Sequence, residues 1–286
     1  MREILPPSPP TKGVRFLYCN ALGVPLMKFL TCRWVSRVAG KFLDGRLSKG
    51  LIKRYIRKNN VDMSLYKEEP YPCFNAFFTR RIREELRPID NEPHAFISPC
   101  DGKLTAFAID EDSQFTVKGF TYSTTTLLRD EELAKKYEGG YCLVFRLCVD
   151  DFHRYSYIDD GKKGNNVFIK GKLHTVQPTA LEKRRVFTEN CREYTVLKTA
   201  NFGDVTQVEV GAMMVGRIVN YHGTYSFKRG EEKGRFEFGG STIIVLVEKD
   251  RLVLDEELLK NTQDGNETIV KLGERLGVAA GAKANN

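Results

Sequence analysis

The sequence contains no CxxC pair, no HExxH, no GxGxxG or P-loop, and no internal repeat. Its seven cysteines (19, 32, 73, 100, 142, 148 and 191) are odd in number and scattered. That excludes a disulfide framework and a zinc site of the usual spacing, and it fits reduced thiols in a cytosolic setting. Cys142 and Cys148 sit in apolar, strand-like stretches and read as small core residues. Long apolar runs are missing too. The longest uncharged run, Phe16 to Met27, is too short to cross a bilayer and contains Asn20 and Pro25. Prolines 6, 7, 9 and 10 stand where the cationic start of a signal peptide would be, so none is expected. Histidine is scarce, with four in 286 residues, so each can be weighed singly.

What is present is enough for one large domain with a real core, or a domain plus an appendage: 41% hydrophobic, 11% aromatic and 29% charged. The net charge of +8 is unevenly placed. Residues 1–60 hold thirteen Lys/Arg against Glu3 and Asp44, a net +11, which leaves −3 for the rest. A protein that coats nucleic acid would not confine its charge this way, so no nucleic-acid partner is expected; the basic segment calls for an anionic partner. Beyond Pro25 the residues Leu26, Phe29, Leu30, Trp34, Val38 and Phe42 recur at helical steps, with Lys28, Arg33, Arg37 and Lys41 mostly between them. A second basic helix is predicted over Leu47–Lys58. Two readings stay open here: helices laid on a membrane interface, or helices packed on the domain with solvated lysines.

Pro70–Asp90 predicts a short helix carrying Phe74, Phe77 and Phe78, then a cationic stretch stopped by Pro88. From about Ala95 the periodicity becomes that of strands. Segments 103–109, 141–149, 167–176, 193–198, 205–219, 242–248 and 251–254 are rich in Val, Ile, Phe and Tyr, and Gly, Asn or Asp separates them. Only Thr126–Tyr137 interrupts as a helix. Without βαβ alternation, the expected fold is α+β: a mainly antiparallel sandwich or barrel-like catalytic core behind N-terminal amphipathic helices. The divisions expected are 1–60, a basic membrane-binding helical segment; 61–277, the β-rich catalytic domain; and 278–286, a disordered tail.

Gly239-Gly240-Ser241-Thr242 leads into the apolar run Ile243–Val247. A hydroxyl at the head of a buried strand, after two residues without side chains, leaves its upstream carbonyl open to attack. An ordinary glycine turn into a hairpin strand would carry the same residues. His153, in DDFHRY, stands just past the apolar strand 141–149, where a sheet presents side chains to a cleft. Its imidazole is a natural base for a hydroxyl. Asp101 lies in the turn SPCDG before the next strand-like segment. Together Asp101, His153 and Ser241 have the composition of an orienting acid, a base and a nucleophile. The other three histidines, His94, His174 and His222, read as surface or structural residues. No metal ligand set is assigned.

From about Phe74 to Gly277 the chain resembles the phosphatidylserine decarboxylase family. The blocks that carry the likeness occur in order: FNAFFTR (74–80) with RPID (87–90), SPCDGKL (98–104), DDFHRY (150–155), GKLHTVQP (171–178), VGAMMVGRI (210–218), KRGEEKGRFEFGGST (228–242) and GNETIVKLGERLG (265–277). The resemblance implies that Ser241, activated by His153 with Asp101 behind it, attacks the Gly240 carbonyl. Self-cleavage would give chains 1–240 and 241–286, a heterodimer of the protein's own halves, with further homo-oligomerisation left open. Ser241 would become a covalent pyruvoyl group that forms a Schiff base with the amine of phosphatidylserine and eases loss of CO₂. Tyr155, Gly211, Met213 and Met214 are the implied substrate-binding candidates. The expected location is the cytoplasmic face of the cell membrane, held peripherally on its anionic surface. One departure stands out: many members carry a second histidine three residues after the first, and this chain has Ser156 there. Two other readings remain: a pyruvoyl decarboxylase of another serine-headed lipid or an amino acid, and a non-catalytic lipid-surface module.

Overall fold

The computed structural model describes residues 2–6, 11–117, 119–148, 150–213, 217–237 and 241–282. Its frame is a ten-stranded sheet. Along the sheet the strands run β1 (Ile4–Leu5), β17 (Glu267–Val270), β3 (Gly102–Ala108), β6 (Tyr141–Leu147), β15 (Ser241–Val247), β11 (Asp204–Val210), β10 (Arg192–Thr199), β8 (Gly161–Lys163) and β13 (Tyr225–Phe227), with β9 (Val167–Ile169) also on β10. Every pairing in it is antiparallel. The central strands are buried on both faces, which is why β6, apart from Arg146, and β15 from Ile243 onward read as continuous apolar runs rather than alternating ones.

Two apolar layers sandwich this sheet. On one face Leu104, Leu143, Phe145, Ile243, Val245 and Val247 pack with residues of two small sheets. These are β12 (Arg217–Asn220)–β14 (Glu232–Glu237)–β7 (Arg154–Ser156) and β16 (Leu252–Leu254)–β18 (Arg275–Ala279)–β2 (Ala95–Ile97). The helix α10 (Glu256–Gln263) joins them through Leu258. The other face packs Val144, Val208, Ile244 and Leu246 against a hairpin, β4 (Gln114–Val117)–β5 (Phe120–Ser123), and short helices. Tyr18 of α1 (Lys12–Cys19) and Met27 of α2 (Gly23–Leu30) belong to this second layer, so the start of the helical segment is docked on the core. The α+β class and the antiparallel core are as the sequence implies. The barrel-like form is corrected: the sheet path is open from β1 to β13 among the described residues.

Several expected elements are interrupted, each for a local reason. The helix read through residues 26–42 is two, α2 and α3 (Arg33–Asp44). At the break Cys32 is extended, the Thr31 hydroxyl and Cys32 thiol donate to the Lys28 carbonyl, and the Thr31 carbonyl accepts from the Leu173 N–H of the core. Thr126–Tyr137 is likewise split into α6 (Thr124–Leu128) and α7 (Glu131–Lys135). Arg129 turns left-handed, with φ 55°, and the Asp130 side chain caps the second helix. The run 205–219 divides into β11 and β12, and 167–176 keeps only β9. Val278 and Ala279, expected to begin the tail, are the last residues of β18, held by pairing with Ala95 and Leu252.

The basic helices α3 and α4 (Gly50–Lys58) meet α5 (Phe74–Phe78) in a separate apolar cluster of Leu43, Ile52, Phe74, Phe77 and Phe78. Outward from this cluster and from the core, Leu22, Leu26 and Phe29 at α2, Trp34, Val38 and Phe42 of α3, and Leu47 just before α4 are exposed. No helix among the described residues is long and apolar enough to cross a membrane.

Candidate active site

Ser241 opens β15 with its side chain fully buried, and its strand neighbour on β6 is Leu147. The chain leaving β6 makes a tight turn from Cys148 to His153. That turn is held by the Asp151 N–H on the Cys148 carbonyl (3.1 Å), by the Cys148 N–H on the Asp151 carboxylate (2.6 Å), and by Lys103, whose ammonium donates to both Asp151 oxygens. Burial pushes the Asp151 carboxyl above its usual range, against the pull of Lys103. The turn passes into β7, which pairs with β14, and the His153 carbonyl accepts the Phe236 N–H. Two strand pairings thus bring together residues 88 apart in sequence: His153 Nδ1 lies 3.3 Å from Ser241 Oγ.

The environment of that pair is apolar. Phe78 stacks on the His153 ring at 4.3 Å between centroids. Burial first, and the positive charge of Arg80 second, push His153 down to about 3, with the Cys148 carbonyl working in the opposite sense. The imidazole is therefore neutral at pH 7, the form that can take a proton. Nδ1 accepts from Ser241 only if the proton sits on Nε2, and Nε2 is buried without a hydrogen-bond partner among the described residues. A 3.3 Å approach is at the loose end for a base and its nucleophile, as is common before the reacting geometry tightens.

Asp101 is placed differently from the orienting role expected of it. Its carboxylate takes a two-pronged ion pair from Arg87 (Nε to Oδ1 2.8 Å, Nη2 to Oδ2 2.6 Å) and the Leu272 N–H (2.8 Å). Among the described residues no hydrogen bond joins it to His153. Tyr155 is buried, and its hydroxyl donates to Asn220 Oδ1 at 3.3 Å. Gly234, opposite on β14, leaves room for that phenol, because a Cβ there would come within 2.7 Å of the Tyr155 oxygen. Gly211 donates its N–H to the Cys191 carbonyl and Met213 donates its N–H to the His174 carbonyl. Gly240 and Met214 lie outside the described residues. Ser156, where the second histidine would stand, is buried and donates its N–H to the Pro99 carbonyl.

Three features here are not evident in the sequence reading. One is the stacking Phe78, which sits in an aromatic cluster that reads as ordinary core. Another is Lys103–Asp151, which fixes the turn. The last is a fully buried ion pair, Lys233–Glu209, at 2.7 Å. Glu209 pairs across the ladder with Ile243, so it lies on the same sheet face as Ser241, two register positions along. Asn220 receives Lys233 and donates to Glu209, and the Gln207 amide also donates to Glu209. Cys148, Asp150 and Asp151 present ligand atoms within 4.8 Å of one another. The Asp151 oxygens there are already held by Lys103, and the Cys148 sulfur receives a guanidinium N–H of Arg146, so this is not a free ligand set. A cavity of about 950 Å³ beside Arg2, Pro88 and Arg275 does not reach Ser241 or His153.

Comparison with known proteins identifies the family. Residues 74–278 match the family described as phosphatidylserine decarboxylase. A phosphatidylserine decarboxylase proenzyme 2 of Clostridium acetobutylicum is 44% identical over 265 residues, covering 92% of this chain and 91% of that protein. Phosphatidylserine decarboxylase proenzymes of Clostridium perfringens and Clostridium botulinum are 40% and 39% identical, each over 93% of this chain and 92% of their own length. With a matched region that spans both His153 and Ser241, this chain belongs to the phosphatidylserine decarboxylase family.

Proposed function

We propose that this enzyme cuts itself between Gly240 and Ser241 and then decarboxylates phosphatidylserine to phosphatidylethanolamine. The observation that carries the reading is the buried contact of Ser241 Oγ with the neutral His153. His153 takes the hydroxyl proton as Oγ attacks the Gly240 carbonyl carbon. The Gly240–Ser241 C–N bond breaks, the nitrogen leaves as an amine, and an ester links the two halves. Loss of the Ser241 α-proton then expels the Gly240 carboxylate and leaves dehydroalanine. Its enamine tautomerises, and water releases ammonia, so that residue 241 ends as a pyruvoyl group. The water-poor surroundings made by Phe78, Leu147 and the sheet suit this sequence, because they keep solvent from intercepting the ester.

Residue 241 and its apolar walls also fit a resident carbonyl cofactor. The pyruvoyl group supplies an electron sink for the carbanion left as CO₂ departs. The chain's own contribution is to hold that residue at the strand head, to exclude water, and to keep an imidazole at hand for proton transfer. With Ser156 in place of a second histidine, either His153 serves both stages or Tyr155 or a water takes one of them. Asp101 and Arg87 act on the site from behind, by fixing the turn at residues 98–102 and the Leu272 backbone against it. Tyr155, Gly211, Met213 and Met214 remain the candidates for contact with the head group.

Phosphatidylserine stays in its bilayer, so the enzyme must come to the surface. Exposed Leu22, Leu26, Phe29, Trp34, Val38, Phe42 and Leu47 among basic residues suit peripheral seating on anionic lipid. Within the expected segment 1–60, the exposed side of residues 22–47 is thus the membrane-binding part, on the cytoplasmic face, while β1, Tyr18 and Met27 belong to the core. The chains 1–240 and 241–286 stay together as a heterodimer. The test is intact mass of the purified protein followed by a lipid assay. Two fragments divided before Ser241 and conversion of dispersed phosphatidylserine are expected, and Ser241→Ala should stay whole and inactive. A wild-type chain that remains uncut and lacks a hydrazine-reactive carbonyl overturns the reading.

A further inference from the structure

Arg80 ends the segment FNAFFTR and is 1% exposed. Its Nη2 donates to the Tyr66 hydroxyl at 3.0 Å and to the Asp150 carbonyl at 3.2 Å. The guanidinium lies 4.1 Å above the Tyr66 ring and 4.9 Å from that of Phe77. Nε and Nη1 are buried with no hydrogen-bond partner, and no carboxylate comes within ion-pairing distance among the described residues. The other deeply set arginines show how unusual this is. Arg192 satisfies all three of its nitrogens with the carbonyls of Leu127, Thr188, Asn190 and Thr126. Arg87, Arg146 and Arg154 each face a carboxylate. A buried guanidinium with idle donors is a costly arrangement unless an anion joins it.

Its position says which anion. Arg80 grips the same 148–153 turn that delivers His153, its charge is felt by that imidazole, and Phe78, two residues earlier, stacks on the ring. In a serine head group only two carbons and one ester oxygen separate the amine, which must reach residue 241, from phosphorus. A cation whose charge is felt at the base is therefore a candidate partner for one of the head group's anions. Two anions are available there, the carboxylate and the phosphodiester. The carboxylate loses its charge as it leaves as CO₂, so a guanidinium held against it would stabilise the ground state and slow the reaction. The phosphodiester keeps its charge throughout, and a planar two-donor edge matches two of its oxygens.

We propose that Arg80 is the head-group anchor, with Nε and Nη1 donating to the phosphodiester of the bound lipid. This rests on the reading of Ser241 and His153 as the reaction centre. The test compares wild type, Arg80→Gln and Arg80→Lys, each first followed by intact mass for self-cleavage, which needs no lipid. All three should cut. Arg80→Gln should then raise KM for dispersed phosphatidylserine roughly 10- to 100-fold, the loss of a charge-assisted contact, with kcat within a few-fold. Arg80→Lys should recover part of it. Glycerophosphoethanolamine, which has the phosphodiester and no carboxylate, should inhibit wild type competitively, and its Ki should rise by the same factor in Arg80→Gln. An unchanged KM in Arg80→Gln overturns the proposal. A raised KM with unchanged inhibition by glycerophosphoethanolamine overturns it too, because Arg80 would then hold the carboxylate. If both variants fail to cut while wild type cuts, Arg80 serves folding or processing instead. A wild type that neither cuts nor decarboxylates fails the underlying reading, whatever Arg80 does.

Discussion

The head of β15 and the outer face of the N-terminal helices break the rule of apolar-in, polar-out in opposite directions. At Ser241 a hydroxyl, an imidazole and a lysine–glutamate pair are enclosed without access to water. Along residues 22–47 seven large apolar side chains stand outside, Trp34 at 65% exposure and Leu47 at 87%, while Met27 and Leu43 face inward. Each exception is costly if the protein is considered alone in water. The first makes sense if the enclosed groups react, and the second if the exposed ones meet a lipid surface. Local violations of folding logic point to function here in both places, but by different physics: a low dielectric that strengthens proton transfer inside, and transfer of surface out of water outside.

That contrast can be broken from either side. The largest effect is expected at His153: replacement by alanine should slow self-cleavage by about 10²–10⁴-fold, read by gel or mass over time. Because the folded ring is pushed down to about 3, below its ordinary 6.5, it stays neutral as pH falls. The processing rate should therefore stay flat from about pH 8 to about pH 5, with no inflection near 6.5. Stability has the opposite slope: below about 6.5 the unfolded chain takes up a proton the folded ring refuses, so the melting temperature should fall with acid, and less so in His153→Gln. Next in size is Lys233→Met, which leaves Glu209 buried and unpaired and should cost about 3–5 kcal/mol in denaturant unfolding of the uncut Ser241→Ala background. Lys233→Met with Glu209→Leu together should recover most of it. Smallest is the double change Phe29→Ser, Trp34→Ser: vesicle binding should weaken roughly tenfold with self-cleavage unaltered. A loss of self-cleavage there would make the helices part of the core rather than a contact surface.

Much of the site was legible because its parts are punctuated locally. Ser241 stands where glycines give way to an apolar strand, and His153 where such a strand stops, and both signals depend on neighbours in sequence. The buried central strands were legible for the same reason. Asp101 was only half legible: the turn is there, but its partner Arg87 is fixed by a fold-level approach, and the expected link to His153 is replaced by stacking from Phe78. Lys233–Glu209 and the idle donors of Arg80 could not be read at all, since a lysine or arginine in a mixed stretch looks solvated until its surroundings are known. The helix break at Thr31–Cys32 was hidden similarly, as its cause includes a backbone hydrogen bond from Leu173, far along the chain.

The strand order has a consequence for the life of the enzyme after it cuts. Downstream of Ser241, β15 lies between β6 and β11, β17 lies between β1 and β3, and β18 is zipped to β2. Every neighbour named there comes from the upstream chain. The short piece is thus woven into the long one and cannot leave without dismantling the sheet. Before the cut, folding is a first-order process of one chain. Afterwards, recovery from denaturation is a second-order encounter of two, and it slows as the protein is diluted. Maturation would make the enzyme's architecture historical: the folded form outlives the covalent continuity that allowed it to form.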